Sequence, residues 1–342
     1  MPTKAMISLN ELSHRLVRYD DLRPCTSAFI DARTPGSDRK ENFTIIGPGV
    51  AENPDQYVHI NIPHGFNIGA ARQPPRCINS QHSHQTAEVF IVHSGSWRFN
   101  TGEHGTDGYV DLQAGDVISI PTNVFRGFEN IGDAIGFLFA VLGGDNPGRV
   151  TWAPYVLEQA AKHSLVLLEN GRLIDTTLEP VPAGAIPMPA TTAADVARLR
   201  RYNSDEIASC VVRQTELVAN GGLSACGGFE ECPIIGSANA PEQISGGKLS
   251  WLHGFQLRAL RVAPHASCPA HSRDEAEVLL MQSGELTIEW QSESLTLRSG
   301  DVLTVPAGLA RRYRNNGATP ATVYVVRGGD HPAAARWVST SG

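Results

Sequence analysis

Two histidines and a glutamate between Gln81 and Phe90 have the types and spacing of a metal site. His82 and His84 are one residue apart, so in an extended strand their side chains point to the same face. Glu88 follows after three residues and leads into an apolar run. If 82–84 and 88–92 form neighbouring strands, two imidazoles and one carboxylate meet at one point. That donor set suits a divalent first-row metal and leaves coordination positions open for a substrate or oxygen.

Composition and charge restrict the class of protein around this segment. The chain has 342 residues, with 41% hydrophobic and 18% charged residues, which is ordinary for a globular protein with one or two domains. A net charge of -7 without a Lys/Arg-rich block argues against nucleic-acid and anionic-membrane partners. No apolar run approaches the roughly 20 residues that cross a bilayer, and residues 1–20 lack the apolar core of a signal peptide. The six cysteines form no CxxC pair, so we expect reduced thiols and a cytoplasmic location.

The elements that must position the metal site are mostly short strands. Helical spacing predicts a helix over 7–19, and the residues 33–56 have the composition of a loop. Short alternating or apolar runs then predict strands at 57–62, 66–72, 88–92, 96–100, 108–112, 116–120, 124–129 and 135–141. Many short strands at this spacing favour a β-sandwich or barrel. Further helices are predicted at 154–169 and 192–202, separated by a Pro-rich connection.

The second half of the chain repeats the first half. At an offset of 189 residues the matches are His64-Gly65-Phe66 with His253-Gly254-Phe255, His82 with His271, Glu88 with Glu277, and Gly95 with Gly284. A loop four residues shorter changes the offset to 185, and the matches are then Gly115-Asp116-Val117 with Gly300-Asp301-Val302, Pro121 with Pro306, Arg126 with Arg311, Asn130 with Asn315, and Gly143-Gly144-Asp145 with Gly328-Gly329-Asp330. The chain is therefore predicted to be a duplicated all-β domain.

Each half resembles the cupin family in its two short motifs. The matching residues are His82, His84, Glu88, Gly95, Gly115, Pro121 and Asn130 in the first half, and His271, Glu277, Gly284, Gly300, Pro306, Gly308 and Asn315 in the second. The resemblance implies a bicupin: two double-stranded β-helix (jelly-roll) barrels with a few short helices. We expect an N-terminal helix and arm at 1–56, a metal-binding barrel at 57–150, a helical, Pro-rich linker at 151–205 and a barrel with a degenerate site at 206–342.

Departures from the family pattern indicate a single metal site. The resemblance implies a fourth ligand, a histidine, where this chain has Arg126 in the first half and Arg311 in the second. Arg273 also replaces the second motif histidine in the second half. Three protein ligands suffice for a catalytic metal, whereas two permanent positive charges oppose a dication. We therefore expect one divalent metal, bound by His82, His84 and Glu88 in the first barrel, and no metal in the second.

The role of Arg126 has two interpretations. Its guanidinium could point into the pocket and bind a substrate carboxylate or enolate beside the metal, which would make Arg126 and Glu88 the catalytic residues. Alternatively it turns outward, or pairs with Glu88 and fills a site that has lost its metal. For Arg273 and Arg311, beside Glu277, we favour the interpretation of a charged filler.

Three classes of function fit these residues. The leading hypothesis is a mononuclear non-haem Fe(II) dioxygenase acting on a small anionic substrate, which could be aromatic or enolisable. The two-barrel layout is similar to that of gentisate-type ring-cleaving dioxygenases, although those enzymes rely on three histidines. The alternatives are a redox-neutral metal-dependent isomerase, hydrolase or lyase and a metal-free bicupin that binds a small molecule. Mn, Ni and Zn accept the same ligands as iron, and we expect a homo-oligomer, either a dimer or a tetramer.

Overall fold

The computed structural model of the protein describes residues 7–338 and divides them into two compact units. The first unit is Arg23–Gln214, and the second combines the residues before 23 with those after 214. This division differs from the segments expected from the sequence, because 206–214 lie in the first unit and 7–22 in the second. The predicted fold is confirmed: the structure consists mostly of strands, duplicated, with a few short helices.

The helices are short. The α-helices are α1 (Leu9–Ser13), α2 (Pro154–Lys162), α3 (Ala193–Val196) and α4 (Ser204–Ser209), and the 3-10 helices are Tyr19–Asp21, Gln214–Glu216, Gly222–Ala225 and Ala240–Glu242. Within residues 7–338, no helix has the length and apolar character that a membrane span requires.

The strands follow the repeat. Up to residue 214 they are β1 (Leu16–Val17), β2 (Glu41–Ile46), β3 (Val58–Ile60), β4 (Phe66–Gln73), β5 (Ile78–Ser83), β6 (Glu88–Ser94), β7 (Ser96–Thr101), β8 (Gly108–Gln113), β9 (Val117–Ile120), β10 (Arg126–Asn130), β11 (Gly136–Gly143), β12 (Thr151–Trp152), β13 (Leu165–Leu167), β14 (Leu173–Asp175) and β15 (Val211–Val212). After it they are β16 (Phe229–Ile235), β17 (Phe255–Val262), β18 (His271–Ser272), β19 (Glu277–Ser283), β20 (Glu285–Trp290), β21 (Glu293–Arg298), β22 (Val302–Val305), β23 (Arg312–Arg314), β24 (Ala321–Gly328) and β25 (Arg336–Trp337).

The first barrel consists of two sheets with an apolar core between them. One sheet has the strand order β15-β9-β6-β11-β4-β2-β3, and the other has the order β12-β5-β10-β7-β8. Phe90 of the first sheet packs on Phe99 and Phe128 of the second, with ring centroids 5.1 Å apart in both pairs. The alternation of buried and outward side chains along β7 and β8 is what a sheet with one face on a core requires.

The second barrel repeats this arrangement in the same register. Its sheets have the orders β1-β22-β19-β24-β17-β16 and β21-β20-β23, and β18 pairs with β25 in a further two-stranded sheet. Leu142 lies opposite Glu88 between β11 and β6, and Arg327 lies opposite Glu277 between β24 and β19, which are the equivalent positions. The two offsets found in the sequence therefore describe true structural equivalence.

Some of the repeated residues hold turns. The carboxylate of Asp145 accepts hydrogen bonds from the backbone of His64 (3.1 Å) and Gly65 (2.8 Å), and Asp330 does the same for its equivalents in the second barrel. Gly65 has a φ of 77°, a conformation that residues with a side chain rarely adopt. These turn residues are thus explained by the fold and carry little information about function.

A short arm covers the edge of each barrel, and the arms belong to the repeat as well. Helix α1 and strand β1 lie in residues 8–19, and β1 pairs with β22 of the second barrel. Helix α4 and strand β15 lie in residues 203–214, and β15 pairs with β9 of the first barrel. Both helices begin with a capping box, formed by Ser8 with Glu11 and by Asn203 with Glu206. The arm that precedes each barrel in the sequence therefore covers the other barrel.

Four predicted elements differ from the structure. The helix predicted over 7–19 ends at Ser13, because the following apolar residues pair with β22 as strand β1. The expected loop 33–56 contains β2, which pairs with β4. The helices predicted at 154–169 and 192–202 are present only as the shorter α2 and α3, and the Thr192 side chain caps α3 by accepting from the Asp195 backbone.

Candidate metal centre

The three predicted ligands lie together, although they do not lie on neighbouring strands. His82 is on β5 and Glu88 is on β6, and these strands belong to the two different sheets of the first barrel. The expectation that 82–84 and 88–92 pair in one sheet is therefore wrong. The intervening residues cross from one sheet to the other, so the side chains approach each other across the barrel interior. Their ligand atoms lie within 4.8 Å of one another, and all three residues are buried.

Both imidazoles are held in the neutral form that binds a metal. The Nδ1 of His82 donates to the backbone carbonyl of Ser80 (2.7 Å), which leaves its Nε2 lone pair available. Burial lowers the pKa of His82 and of His84 well below the usual value, and the positive charge of Arg126 lowers both further. The Nδ1 of His84 has no hydrogen-bond partner among the described residues, and its Nε2 lies 3.7 Å from Glu88 Oε2.

Arg126 lies directly behind this group. It is 1% exposed, and its position on β10 is opposite His82 on β5. Its Nη2 forms an ion pair with Oε2 of Glu88, and its Nη1 donates to the backbone carbonyl of His82 (2.9 Å). Burial lowers the pKa of Arg126, while the charge of Glu88 opposes that shift. The structure therefore contains the ion pair between Arg126 and Glu88, which is one of the two interpretations of Arg126 made from the sequence. Contact of Arg126 with a substrate stays a prediction.

A cavity with mostly apolar walls opens beside the ligands. Its empty volume, including the open mouth, is about 640 Å³, and His82, His84 and Glu88 all line it. Most of its wall is apolar, and the large side chains there are those of Phe29, Phe43, Phe90, Phe128, Leu142 and Trp152. Arg126 is not among the lining residues found in the described part of the chain. An enclosed apolar site with a few convergent polar groups is the usual form of a small-molecule site.

Glu52, which was not predicted from the sequence, fixes one wall of this cavity. The indole Nε1 of Trp152 donates to Glu52 Oε1 (2.6 Å), and the backbone of Ile30 donates to Oε2 (2.7 Å). The Trp152 ring lies 5.2 Å from the ring of His82. Burial raises the pKa of Glu52 to about 8, against the effect of these hydrogen bonds. No sequence signal marked Glu52, because it lies in a segment with the composition of a loop.

In the second barrel, charged side chains occupy the position equivalent to the candidate metal site. Glu277 forms an ion pair with Arg311, lies 2.8 Å from Arg327 and 3.4 Å from Arg273, and accepts a hydrogen bond from the Tyr313 hydroxyl (2.8 Å). All four partners are buried. This arrangement agrees with the interpretation of Arg273 and Arg311 as charged filler. The carboxylate of Glu277 is already surrounded by hydrogen-bond donors.

Further charged residues extend this cluster. Arg258 pairs with Glu231 (2.6 Å) and Glu242 (3.0 Å), and Arg273 also pairs with Glu242 (2.8 Å). Burial lowers the pKa of His271 to about 2, and Arg311 and Arg273 contribute to the shift. The sequence analysis missed Arg258 and Arg327, although the repeat offers the signal: they replace Gly69 and Leu142 of the first barrel.

The residues of the first barrel fit a divalent cation. Two neutral imidazoles with free nitrogen atoms and one carboxylate converge there, and one of those nitrogens, Nδ1 of His84, is buried without a partner. Glu88 meets Arg126 through Oε2, so Oε1 is the atom through which it could reach a cation. Metal-bound carboxylates commonly carry such a second hydrogen bond. Within residues 7–338, this is the one group of His, Cys, Asp and Glu side chains close enough to hold a metal.

Comparison with known proteins agrees with the fold. The cupin domain family matches residues 70–142 and 259–327. Oxalate decarboxylase from Lactobacillus farciminis, in its formate complex, has a similar structure with a TM-score of 0.59 and 11% identity, over 98% of this chain and 91% of that chain. The Bacillus subtilis oxalate decarboxylase at pH 4.6 has a TM-score of 0.58 and 15% identity, over 98% and 81%.

A further B. subtilis structure, from a study of the Mn(II) centres of that enzyme, gives 15% identity and a TM-score of 0.58 over 98% of this chain and 82% of that chain. No curated protein matches the sequence. At these identities the likeness concerns the fold, and the two family matches fall on the two barrels described above. The chain thus has two segments that match the cupin domain, one in each barrel, which is the two-barrel arrangement of a bicupin.

Proposed function

We propose that the first barrel binds one divalent metal ion through His82, His84 and Glu88, and that the protein is a metal-dependent enzyme. One observation carries this proposal: two neutral histidines and a glutamate converge within 4.8 Å at the wall of an apolar cavity. Burying such groups without a ligand is costly, and the cavity gives a substrate access to them. The second barrel has no equivalent donor set among its described residues.

The reaction that we propose is oxygenation by a mononuclear Fe(II) dioxygenase. Two histidines and one carboxylate form the ligand set of many non-haem Fe(II) oxygenases, in which the metal supplies open positions for oxygen and a chelating substrate. Residues of this chain would exclude water from the metal and hold its ligands in place. The apolar wall excludes water, Trp152 keeps the ring of His82 in place, and Arg126 orients Glu88.

The substrate of this reaction would be a small anion. Glu88 and Arg126 cancel each other in charge, and the histidines are neutral, so a bound dication would leave the cluster with two positive charges. An anionic substrate would offset part of that charge in a site with little water. Assembly of the protein as a homo-oligomer is a separate proposal, which rests on no residue of this site.

A redox-neutral metal-dependent lyase is the second candidate. The structurally similar proteins named above are oxalate decarboxylases, and one study of them concerns Mn(II) centres. Their identity to this chain is at most 15% in those structures, so their substrate cannot be transferred from the fold alone. The same three ligands would serve this chemistry, with Mn(II) in place of iron.

Metal analysis and gas exchange test the proposal. Protein purified without added metal, and protein reloaded separately with Fe(II) and Mn(II), would be given a panel of small carboxylic acids. We expect about one equivalent of metal per chain and substrate-dependent O2 consumption with iron. Release of CO2 without net O2 consumption would favour the lyase. Failure to bind any divalent metal would contradict the enzyme proposal in both forms.

A further inference from the structure

A fully buried ion pair contacts strand β5 of the first barrel. Lys40 pairs with Asp31, and neither side chain is exposed to solvent. The other carboxylate oxygen of Asp31, Oδ2, accepts a hydrogen bond from the backbone N–H of Ser80 on β5 (3.1 Å). Both members of the pair belong to residues 28–40, a segment of turns and bends that precedes β2. Because burying two charges has a desolvation cost that an apolar pair would not have, the ion pair calls for a role beyond packing.

Ser80 is the residue whose carbonyl holds the ligand His82. The Nδ1 of His82 donates to that carbonyl (2.7 Å), so the Nε2 of the same ring is the nitrogen that can face a metal. The backbone around this carbonyl is held on both sides. On one side Asp31 accepts from the N–H of Ser80. On the other side the N–H of Ala153 donates to the carbonyl of Gln81 (3.0 Å). Asp31 is therefore one of two anchors for the peptide that selects the tautomer of His82.

The second barrel lacks this anchor at the equivalent positions. Pro269 takes the place of Ser80 and has no N–H to donate, and Phe229 takes the place of Lys40. The Nδ1 of His271 lies 3.3 Å from the carbonyl oxygen of Pro269, against 2.7 Å for the same contact in the first barrel. The anchor and the shorter contact thus occur together, in the barrel that has the candidate metal site.

We propose that Asp31 and Lys40 are positioning residues for His82. Lys40 fixes the carboxylate of Asp31, Asp31 holds β5 at Ser80 through a charge-assisted hydrogen bond, and the Ser80 carbonyl keeps the proton of His82 on Nδ1. The Nε2 of His82 then presents its lone pair among the other two ligand atoms. The inference rests on the proposed function in taking His82 as a metal ligand, whereas the tautomer of His82 is a property of the metal-free protein.

Two substitutions of one residue test the anchor and leave the ion pair in place. Ser80→Pro removes the N–H that Asp31 accepts, as in the second barrel, and proline is tolerated in a strand where its nitrogen makes no ladder bond. Ser80→Ala keeps the N–H and is the matched control. Metal-free protein labelled with 15N-histidine would be studied by NMR, with His82→Gln to assign the signal. We expect one Nδ1–H tautomer of His82 in the wild type and in Ser80→Ala, and a mixture of tautomers in Ser80→Pro.

The affinity for Zn(II), measured by competition with a chelator, is the second readout. Ser80→Pro should weaken zinc binding about ten- to hundred-fold, the usual effect of losing a partner of a metal ligand, and Ser80→Ala should change it less than about three-fold. The double variant D31L/K40M replaces the pair by apolar side chains, which buried sites often tolerate, and should weaken zinc binding as Ser80→Pro does. D31N/K40M keeps an oxygen that accepts from Ser80, so its zinc affinity should stay within about three-fold of the wild type.

A loss of stability alone does not produce this pattern. Ile207→Ala, on α4 in the same compact unit, should lower the melting temperature and leave both the tautomer and the zinc affinity unchanged. A single Nδ1–H tautomer in Ser80→Pro and in D31L/K40M would overturn the inference, as would D31N/K40M being impaired as strongly as D31L/K40M. Either Ser80→Pro or D31L/K40M suffices if the other does not fold. If the wild type binds no zinc, the proposed function fails, and the tautomers of metal-free His82 still decide whether the ion pair positions it.

Discussion

The two barrels place the same three residue types at the same positions and surround them differently. Each has a histidine, a glutamate and an arginine that pairs with that glutamate, namely His82, Glu88 and Arg126 in the first barrel and His271, Glu277 and Arg311 in the second. In the first barrel their neighbours are His84, Gly69 and Leu142, beside a cavity. In the second, the equivalent neighbours are arginines. Arginines at three neighbouring positions thus distinguish the ion cluster of the second barrel from the potential metal site of the first.

The comparison also explains why the arginine next to the glutamate cannot by itself decide whether a metal binds. The ion pair of Arg126 with Glu88 has its equivalent in the second barrel, so it belongs to the repeated framework. What differs is the number of positive charges on each carboxylate: one at Glu88, and three within 4 Å at Glu277. Since each guanidinium competes with a cation for the carboxylate, the second site opposes a dication much more strongly.

The largest expected effect is on metal content. His82→Ala should abolish metal binding, because two protein ligands remain, whereas the equivalent His271→Ala should leave the metal content unchanged. Plasma emission analysis of both purified variants and of the wild type measures this. Two tightly bound equivalents of metal per wild-type chain would show that the barrels are alike in this respect and that the comparison fails.

The next largest effect concerns stability. Glu277→Gln leaves Arg311 buried without a carboxylate and takes one of two carboxylates from Arg327, and removing one partner of a buried ion pair costs about 3–5 kcal/mol. Glu88→Gln, the matched variant, should cost less, because only Arg126 loses an ion pair there, whereas three arginines contact Glu277. Urea unfolding of the metal-free variants measures both. An equal or larger loss for Glu88→Gln would contradict the assigned difference between the two clusters.

Arg126→Leu should affect ligand binding more than metal binding. Metal should be retained or bound more tightly, because a positive charge is removed, and substrate should bind about 1.5–3 kcal/mol more weakly, the range for hydrogen bonds to charged groups. Arg126→Lys should restore little, since a point charge lacks the planar fork. Titrations with metal and with substrate separate the two effects. If Arg126→Leu gains a metal that the wild type never held, the arginine fills a site without function.

The smallest effect is expected where the barrels differ on their surface. Arg98 pairs with Asp111 across β7 and β8 (2.7 Å), and the equivalent residues of the second barrel are Thr287 and Thr296, whose hydroxyls are 2.9 Å apart. Exposed ion pairs contribute about 0–1 kcal/mol, so the double variant R98T/D111T should lose about 1 kcal/mol or less in urea unfolding. A loss above about 2 kcal/mol would mean that surface differences between the barrels affect stability as much as differences in their interiors.

The fold could be predicted because its sequence signals are local. Glycines with positive φ, such as Gly95 (87°) and Gly284 (75°), and aspartates that accept backbone hydrogen bonds recur at fixed offsets and mark the same turns in both halves. The equivalence of the two arms, residues 8–19 and 203–214, was not predicted from the sequence. Leu16 and Val17 fit a helical period equally well, and only their pairing with β22 makes them a strand.

The candidate site could be predicted only in part, for a physical reason. The types of His82, His84 and Glu88 define a donor set, but whether they approach within one sheet or between two sheets depends on tertiary structure. Glu52 acts through Trp152, a hundred residues away in sequence, and nothing local marks that contact. Likewise, Asp31 reaches the backbone of Ser80 from 49 residues away in sequence.

The exchanged arms have a consequence for how the chain is held together. Cutting the backbone between Glu179 and Pro189, in the segment between the repeats, would leave two fragments, each carrying the edge strand that the barrel of the other needs. A fragment alone would expose an unpaired strand, β9 or β22, of the kind that promotes aggregation. Together they would remain a noncovalent pair that elutes as one species. A protein with a single repeat would also need an edge strand for its barrel, and two copies would supply it by exchanging arms.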